Sequence, residues 1–230
     1  MSNQMMNESY SKLRWNVQGL FDNFLVIRNE LEEELKLLPE NSTRKRNKLQ
    51  NFISQLEEME ETIQDIRNNK IVDIEKYLNH RFTEPNLIVL AFFQPETKVL
   101  FNKLKSHRFS RGNEFDFESY LNLDEAAKVL AFIGDSAISL AMTHVLWQPN
   151  ISSTKELTEN KSEFVSNKNM SKLCDKWSLF DFRLGATQEI ENANKEKIEH
   201  AKGTIIEALF GVLYIECGLE KVITSVVHLK

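Results

Sequence analysis

Two sets of apolar residues, each repeating every seven positions, constrain the first seventy residues more tightly than any other feature of the chain. Leu13, Leu20 and Ile27 share one phase, and Val17, Phe24, Leu31 and Leu38 share a phase four positions on. That is the a/d seam of a heptad helix, a stripe that must be covered by another apolar surface. Pro39-Glu40-Asn41-Ser42 ends it, with Asn41 or Ser42 placed as the next N-cap. A second seam follows, with Leu49, Leu56 and Ile63 on one phase and Phe52, Met59 and Ile66 on the other. Two such helices joined by a short turn predict an antiparallel helical hairpin over residues 1–70. Its charged exterior, ELEEELK and QLEEMEE, is read as a solvated face, with a docking face for a protein partner as the sharper alternative.

From residue 71 the heptads end, and residues 71–230 are read as a second, compact domain. IEKYLNHRF runs to Thr83-Glu84-Pro85, where a helix stops and another starts, and NLIVLAFF follows. KLKSHRFSRGNEF, residues 103–115, reads as a polar, basic loop bearing aromatics. LDEAAKVLAFIGDSAISLAMTHVLW predicts one long helix. KSEFVSNKNMSKLCDKWSLF predicts another with a start signal at Ser166 or Asn167. KEKIEHAKGTIIEALFGVLYIECG predicts the last long one, stopped at Gly218. No run alternates with period two, and only seven glycines and four prolines punctuate 230 residues, so the class expected is all-α.

Charge and composition exclude some functions. A net charge of −5 argues against a general polyanion binder, yet leaves room for a local basic groove. Cys174 and Cys217 fit neither metal-site spacing nor a disulfide framework, and are read as reduced core residues. The amino terminus carries no signal-peptide apolar region. The longest apolar stretches, 129–147 and 204–215, are interrupted by Gly134–Asp135 and by Glu207, so no membrane span is expected. The expected location is intracellular, soluble and cytoplasmic.

Within the long helix, FIGDS places one carboxylate, Asp135, in an apolar run. A charge there is costly unless hydrogen bonds, a cation or a metal ion compensates for it. Four segments in order resemble the RNase III family and cover about two-thirds of the chain. KYLNHRFTEPNLIVLAF is similar to its opening helix pair. VLAFIGDSAISL is similar to its signature helix, LEFLGDAVL. LTENKSEFVSNKNMSKLCDKWSLFDFRLG is similar to its V-S-N helix and L-R-L-G turn. GTIIEALFGVLYIECGLE is similar to its last long helix. The resemblance implies an all-α, RNase III-type endonuclease domain preceded here by the hairpin, a homodimer, and hydrolysis of double-stranded RNA. It also implies Mg²⁺ (or Mn²⁺) held by clustered carboxylates. Its final helix coincides with the end of this sequence, so no C-terminal double-stranded-RNA-binding domain is expected.

The acidic pattern implied by the family is only partly present. Asp135 and Glu207 match it, and are the catalytic and metal-binding candidates. Lys128, Ala131 and Thr204 stand where the family has carboxylates, so three of five acidic positions are replaced and one has reversed sign. Positions 128, 131 and 135 lie a turn apart on one helical face, where the stem of Lys128 could approach Asp135. Lys128, Asp135 and Glu207 together sum to −1, too little charge to offset dehydration of Mg²⁺ well. Phe132 matches the signature phenylalanine that the resemblance places at the dimer interface. Lys103, Lys105, Arg108 and Arg111 are the phosphate-contact candidates. The expected function is a homodimeric RNase III-fold protein that binds structured or double-stranded RNA, with cleavage lost or weak. The alternatives are an active Mg²⁺-dependent endoribonuclease with a diverged site using Asp135 and Glu207, and a dimerisation or adaptor protein that does not bind RNA.

Overall fold

A computed structural model describes residues 23–109, 117–147, 153–185 and 194–230. Leu13, Val17 and Leu20 of the first seam and Arg111 of the basic stretch lie outside the described residues, as does the side chain of Arg108. Helix α1 spans Asn23–Leu37 and α2 spans Thr43–Asp65. A π-turn over Ile66–Lys70 carries α2 directly into α3, Ile71–Leu78. Then come α4 (Pro85–Leu90), α5 (Glu96–Phe109), α6 (Glu118–Leu121) and α7 (Leu123–Leu146). They are followed by α8 (Thr154–Phe164), α9 (Asn167–Lys176), α10 (Lys195–Cys217) and α11 (Leu219–Ser225). Short 3₁₀ turns cover Phe180–Phe182 and Val226–Leu229. Among the described residues the only β pairing is a single parallel bridge between Phe93 and Leu184. The all-α expectation holds.

The hairpin forms as its seams require. Phe24, Ile27 and Leu31 of α1 are buried, as are Leu49, Phe52, Leu56, Met59 and Ile63 of α2. Fully burying one such side chain stabilises by roughly 1.5–3 kcal/mol, so the two stripes hold the pair together. Its antiparallel register is fixed by Arg28, 3.1 Å from Glu57 and 3.3 Å from Glu60, and by Arg46, which donates to the carbonyls of Leu35 and Leu38 at the end of α1. Ser42 occupies the N-cap position of α2, but its hydroxyl makes no capping bond.

The seam residues of the arm also belong to the same core as the rest of the chain. Phe24 stacks on Phe101 of α5 at 5.5 Å and lies 5.4 Å from Tyr120 of α6. His107 Nε2 of α5 lies 3.1 Å from Glu34 of α1. No loop separates residue 70 from residue 71. Inside the π-turn, Lys70 is buried, its ammonium 4.8 Å above the Phe182 ring and donating to the Trp177 carbonyl at 3.4 Å.

The stretch read as a basic loop differs in the structure: residues 103–109 are the last two turns of α5. The buried Leu100, Phe101 and Leu104 give that segment a helical apolar face, and Lys103 is exposed. The start and stop signals further along act as read. Ser166 caps α9 by accepting from the Asn169 N–H at 3.3 Å, Pro85 stands at the first turn of α4, and Gly218 ends α10 at φ +75°. Glu216, its side chain almost wholly buried, accepts from the backbone N–H groups of Thr83 and Glu84 at 3.0 Å each. That carboxylate ties the restart before α4 to the end of α10.

Helix α7 bears on the expected absence of a membrane span. Residues 123–146 are long and apolar enough, by length and composition, to cross a membrane, with a mean hydropathy of 1.6 over the best window. Gly134 and Asp135 interrupt the run without lowering its average below that of a span. In the fold, Leu130, Ile138, Ala141 and Met142 of this helix lie inside the core.

Candidate functional site

Two glycines place the candidate site. Helices α7 and α10 cross with their backbones almost touching. A Cβ on Gly134 would stand 1.7 Å from the Glu207 carbonyl oxygen, and one on Gly211 would stand 2.0 Å from the Leu130 carbonyl oxygen. Only hydrogen fits at either position. The reciprocal contact fixes the register of the two helices. It brings Asp135, next to Gly134, and Glu207, one turn before Gly211, to the same side of the crossing.

Asp135 is exposed, whereas Glu207 is largely inside. Burial, with the charge of Asp135 added to it, pushes the Glu207 carboxyl up from 4.5 to about 7. The two groups are therefore neighbours. Ala131 is buried at the crossing. The Thr204 hydroxyl donates back to the His200 carbonyl at 3.0 Å, one turn earlier on α10.

Lys128 does not turn toward Asp135. Its ammonium lies 2.9 Å from Asp124 and 3.5 Å from Glu125, towards the start of α7. The hydrogen bond to Asp124 holds the ammonium pKa above its ordinary value. Asp124 is 3 % exposed, and its other oxygen, Oδ1, has no partner. The reversed charge thus answers a buried carboxylate one turn below it. The i,i+4 spacing of Asp124 and Lys128 is the sequence signal for this pair.

The donor set can be tested against a divalent ion. Mg²⁺ wants several oxygen ligands in an octahedral array and gives up its waters reluctantly. Here two carboxylates converge, those of Asp135 and Glu207. Among the described residues no group of three or more His, Cys, Asp or Glu is placed to hold a metal ion. The residues present do not fit a resident carboxylate-clustered metal centre.

Other candidate residues are dispersed. Lys103 and Lys105 are two positions apart on α5 and point to different sides of it. Phe132, one turn before Ser136 on α7, is 74 % exposed, and Leu140 and Trp147 are exposed further along the helix. Residues 132, 136 and 140 follow one helical face, so α7 exposes Phe132 and Leu140 beside the crossing with Ser136 between them.

The fold and site together define an all-α domain in which a glycine-locked helix pair presents Asp135 and Glu207 on one side. Residues 128–218 match the family model of the Ribonuclease III domain. Ribonuclease 3 of Campylobacter jejuni is 24 % identical over 151 residues, which cover 65 % of this chain and 56 % of that relative. The chain thus spans just over half the length of the curated relative it matches. Two solved structures of the nuclease domain of ribonuclease III from Campylobacter jejuni share the fold at 22 % identity. One, described for structural flexibility in a region involved in dimer formation, has a TM-score of 0.52 and covers 69 % of this chain and 94 % of that one. The other has a TM-score of 0.51, covering 70 % and 93 %.

Proposed function

We propose that this chain is an RNase III-fold protein that pairs with a second copy of itself and binds structured or double-stranded RNA, with its cleavage lost or weak. The observation that carries the reading is the state of the crossing. The backbone geometry that positions the site is kept to within a methyl group, while its acidic content is reduced to Asp135 and a Glu207 whose carboxyl is pushed to about 7. An anionic scissile phosphate brought to such a site meets little compensating positive charge. The exposed Phe132 and Leu140 on one face of α7 support pairing, because large apolar side chains left in solvent are stabilised when a partner covers them. Lys103 and Lys105, with Arg108 and Arg111, are the proposed phosphate contacts. The hairpin, residues 1–70, is proposed as a surface that a protein partner could share, and a cytoplasmic location follows from the same reading.

The test is a cleavage and binding assay on long double-stranded RNA with Mg²⁺ or Mn²⁺. The expected result is a salt-sensitive gel shift without product. Phe132→Asp is expected to halve the sedimenting mass while leaving the helical signal unchanged. Cleavage that disappears in both Asp135→Asn and Glu207→Gln would replace this reading with an active, diverged endoribonuclease. Neither a shift nor product would leave a dimeric adaptor.

A further inference from the structure

Lys168, Lys172 and Lys176 recur every fourth residue along α9, one turn apart, and all three are exposed. Met170, Leu173 and Cys174 of the same helix are buried, so the lysines form its outermost ridge. At the rise of an α-helix that ridge is about 12 Å long. Many lysines of this chain sit beside an acid on their own helix and pair with it: Lys36 with Glu33, Lys128 with Asp124, Lys155 with Glu159 and Lys195 with Glu199. Among the described residues the three on α9 make no ion pair and no hydrogen bond through their ammonium groups.

The acids around the ridge leave its charge standing. Asp175 is the one carboxylate on α9, three residues beyond Lys172, and Lys202 of α10 takes it at 2.6 Å. The Lys202 ammonium is itself held 5.1 Å over the Phe180 ring. Glu199 of α10 lies 3.7 Å from Lys195, and Glu163, in the last turn of α8, forms no ion pair with Lys168. Asp175 and Lys202 cancel, and three positive charges remain in a row on a chain whose net charge is −5.

The rest of the face narrows what such a row can bind. Every apolar side chain of α9 points inward. The exposed ridge therefore has nothing to insert into a lipid surface. It also lacks the buried anchors that dominate protein interfaces, from which lysine is depleted. Evenly spaced cations without apolar neighbours match evenly spaced phosphates, one charge for each step of a nucleic-acid strand.

We propose that α9 grips the phosphate backbone of RNA, with Lys168, Lys172 and Lys176 meeting neighbouring phosphates of one strand. Contacts of this kind position a duplex without reading its sequence, and they need no metal ion. The α9 grip rests on the RNA-binding reading and adds a second surface to it. It shares no residue with the α7–α10 crossing or with the contacts proposed at Lys103, Lys105, Arg108 and Arg111.

Fluorescence anisotropy of a short blunt RNA duplex with the full chain, without divalent ions and from about 50 to 200 mM salt, tests it. Each phosphate contact contributes roughly 0.7–0.9 to the slope of log affinity against log salt. Lys168→Gln, Lys172→Gln and Lys176→Gln together are expected to lower that slope by about 2–3, and Lys172→Gln alone by about 1, with the helical signal unchanged. Arginine at all three positions is expected to keep the wild-type slope. Wild-type protein that binds no duplex even at about 50 mM salt would overturn the RNA-binding reading and this proposal with it. Wild-type binding alongside a triple glutamine variant of unchanged slope would overturn this proposal alone. So would a poly-glutamate complex that loses the slope in that variant while the RNA complex keeps it, which would assign the ridge to an acidic protein.

Discussion

Lys128 shows how one residue can mislead when it is read against a pattern alone. At a position where the resembling family carries an acid, its positive charge looks like a direct blow to a metal cluster. In the fold it serves Asp124, a carboxylate with 3 % exposure, one of whose oxygens depends on it. Restoring an acid at 128 would leave Asp124 facing a like charge with no partner. Lys128→Glu is therefore expected to destabilise the protein by roughly 2 kcal/mol, tempered because Lys128 itself is half exposed. Adding Asp124→Asn should recover most of the loss, since the amide removes the buried charge. Urea unfolding of the single and double variants measures this, and equal midpoints for the two would show that the pair does not couple.

At the scale of elements, the α7–α10 crossing is the device that makes the site possible. Gly134 and Gly211 each face a backbone carbonyl of the other helix, so a single methyl group at either position forces the helices apart. Gly134→Ala is expected to cost about 3 kcal/mol or more, or to prevent folding, even though alanine is the better helix former. A thermal midpoint within a degree of wild type would contradict the backbone contact. The glycines themselves are plain in FIGDS and EALFG. What they press against is not, because the contact pairs residues more than seventy positions apart. The basic stretch at 103–109 shows the opposite limit. Polar composition there suggested a loop, but Leu100, Phe101 and Leu104 had already committed the segment to a helix packed on the core.

For the whole molecule, the buried Glu207 carboxyl links stability to pH. Its proton is held more tightly in the folded chain than in the unfolded one, so the folded state binds more protons between about pH 4.5 and pH 7. Stability contributed by this group is therefore fully present below about 4.5 and is lost as the pH rises through about 7, by roughly 3 kcal/mol at most. Glu207→Gln, which cannot ionise, is expected to flatten this part of the stability profile. Urea midpoints measured from pH 4.5 to 7.5 check it, and parallel curves for variant and wild type would rule the linkage out.

The sequence by itself determined the helical class, the seams of α1 and α2 from Phe24 onward, the caps at Ser166 and Gly218, and the place of Asp135 as the one carboxylate in its apolar run. Each of these is written in local periodicity, in spacing, or in a residue with narrow backbone demands. Only the tertiary structure decided that the hairpin shares one core with the domain, with Phe24 against Phe101 and Tyr120. It alone decided that Lys128 answers Asp124, and that Lys202 answers Asp175 and leaves the lysines of α9 unpaired. Those outcomes depend on which surfaces meet after the helices form, and burial and pairing between distant segments have no period in the chain to announce them.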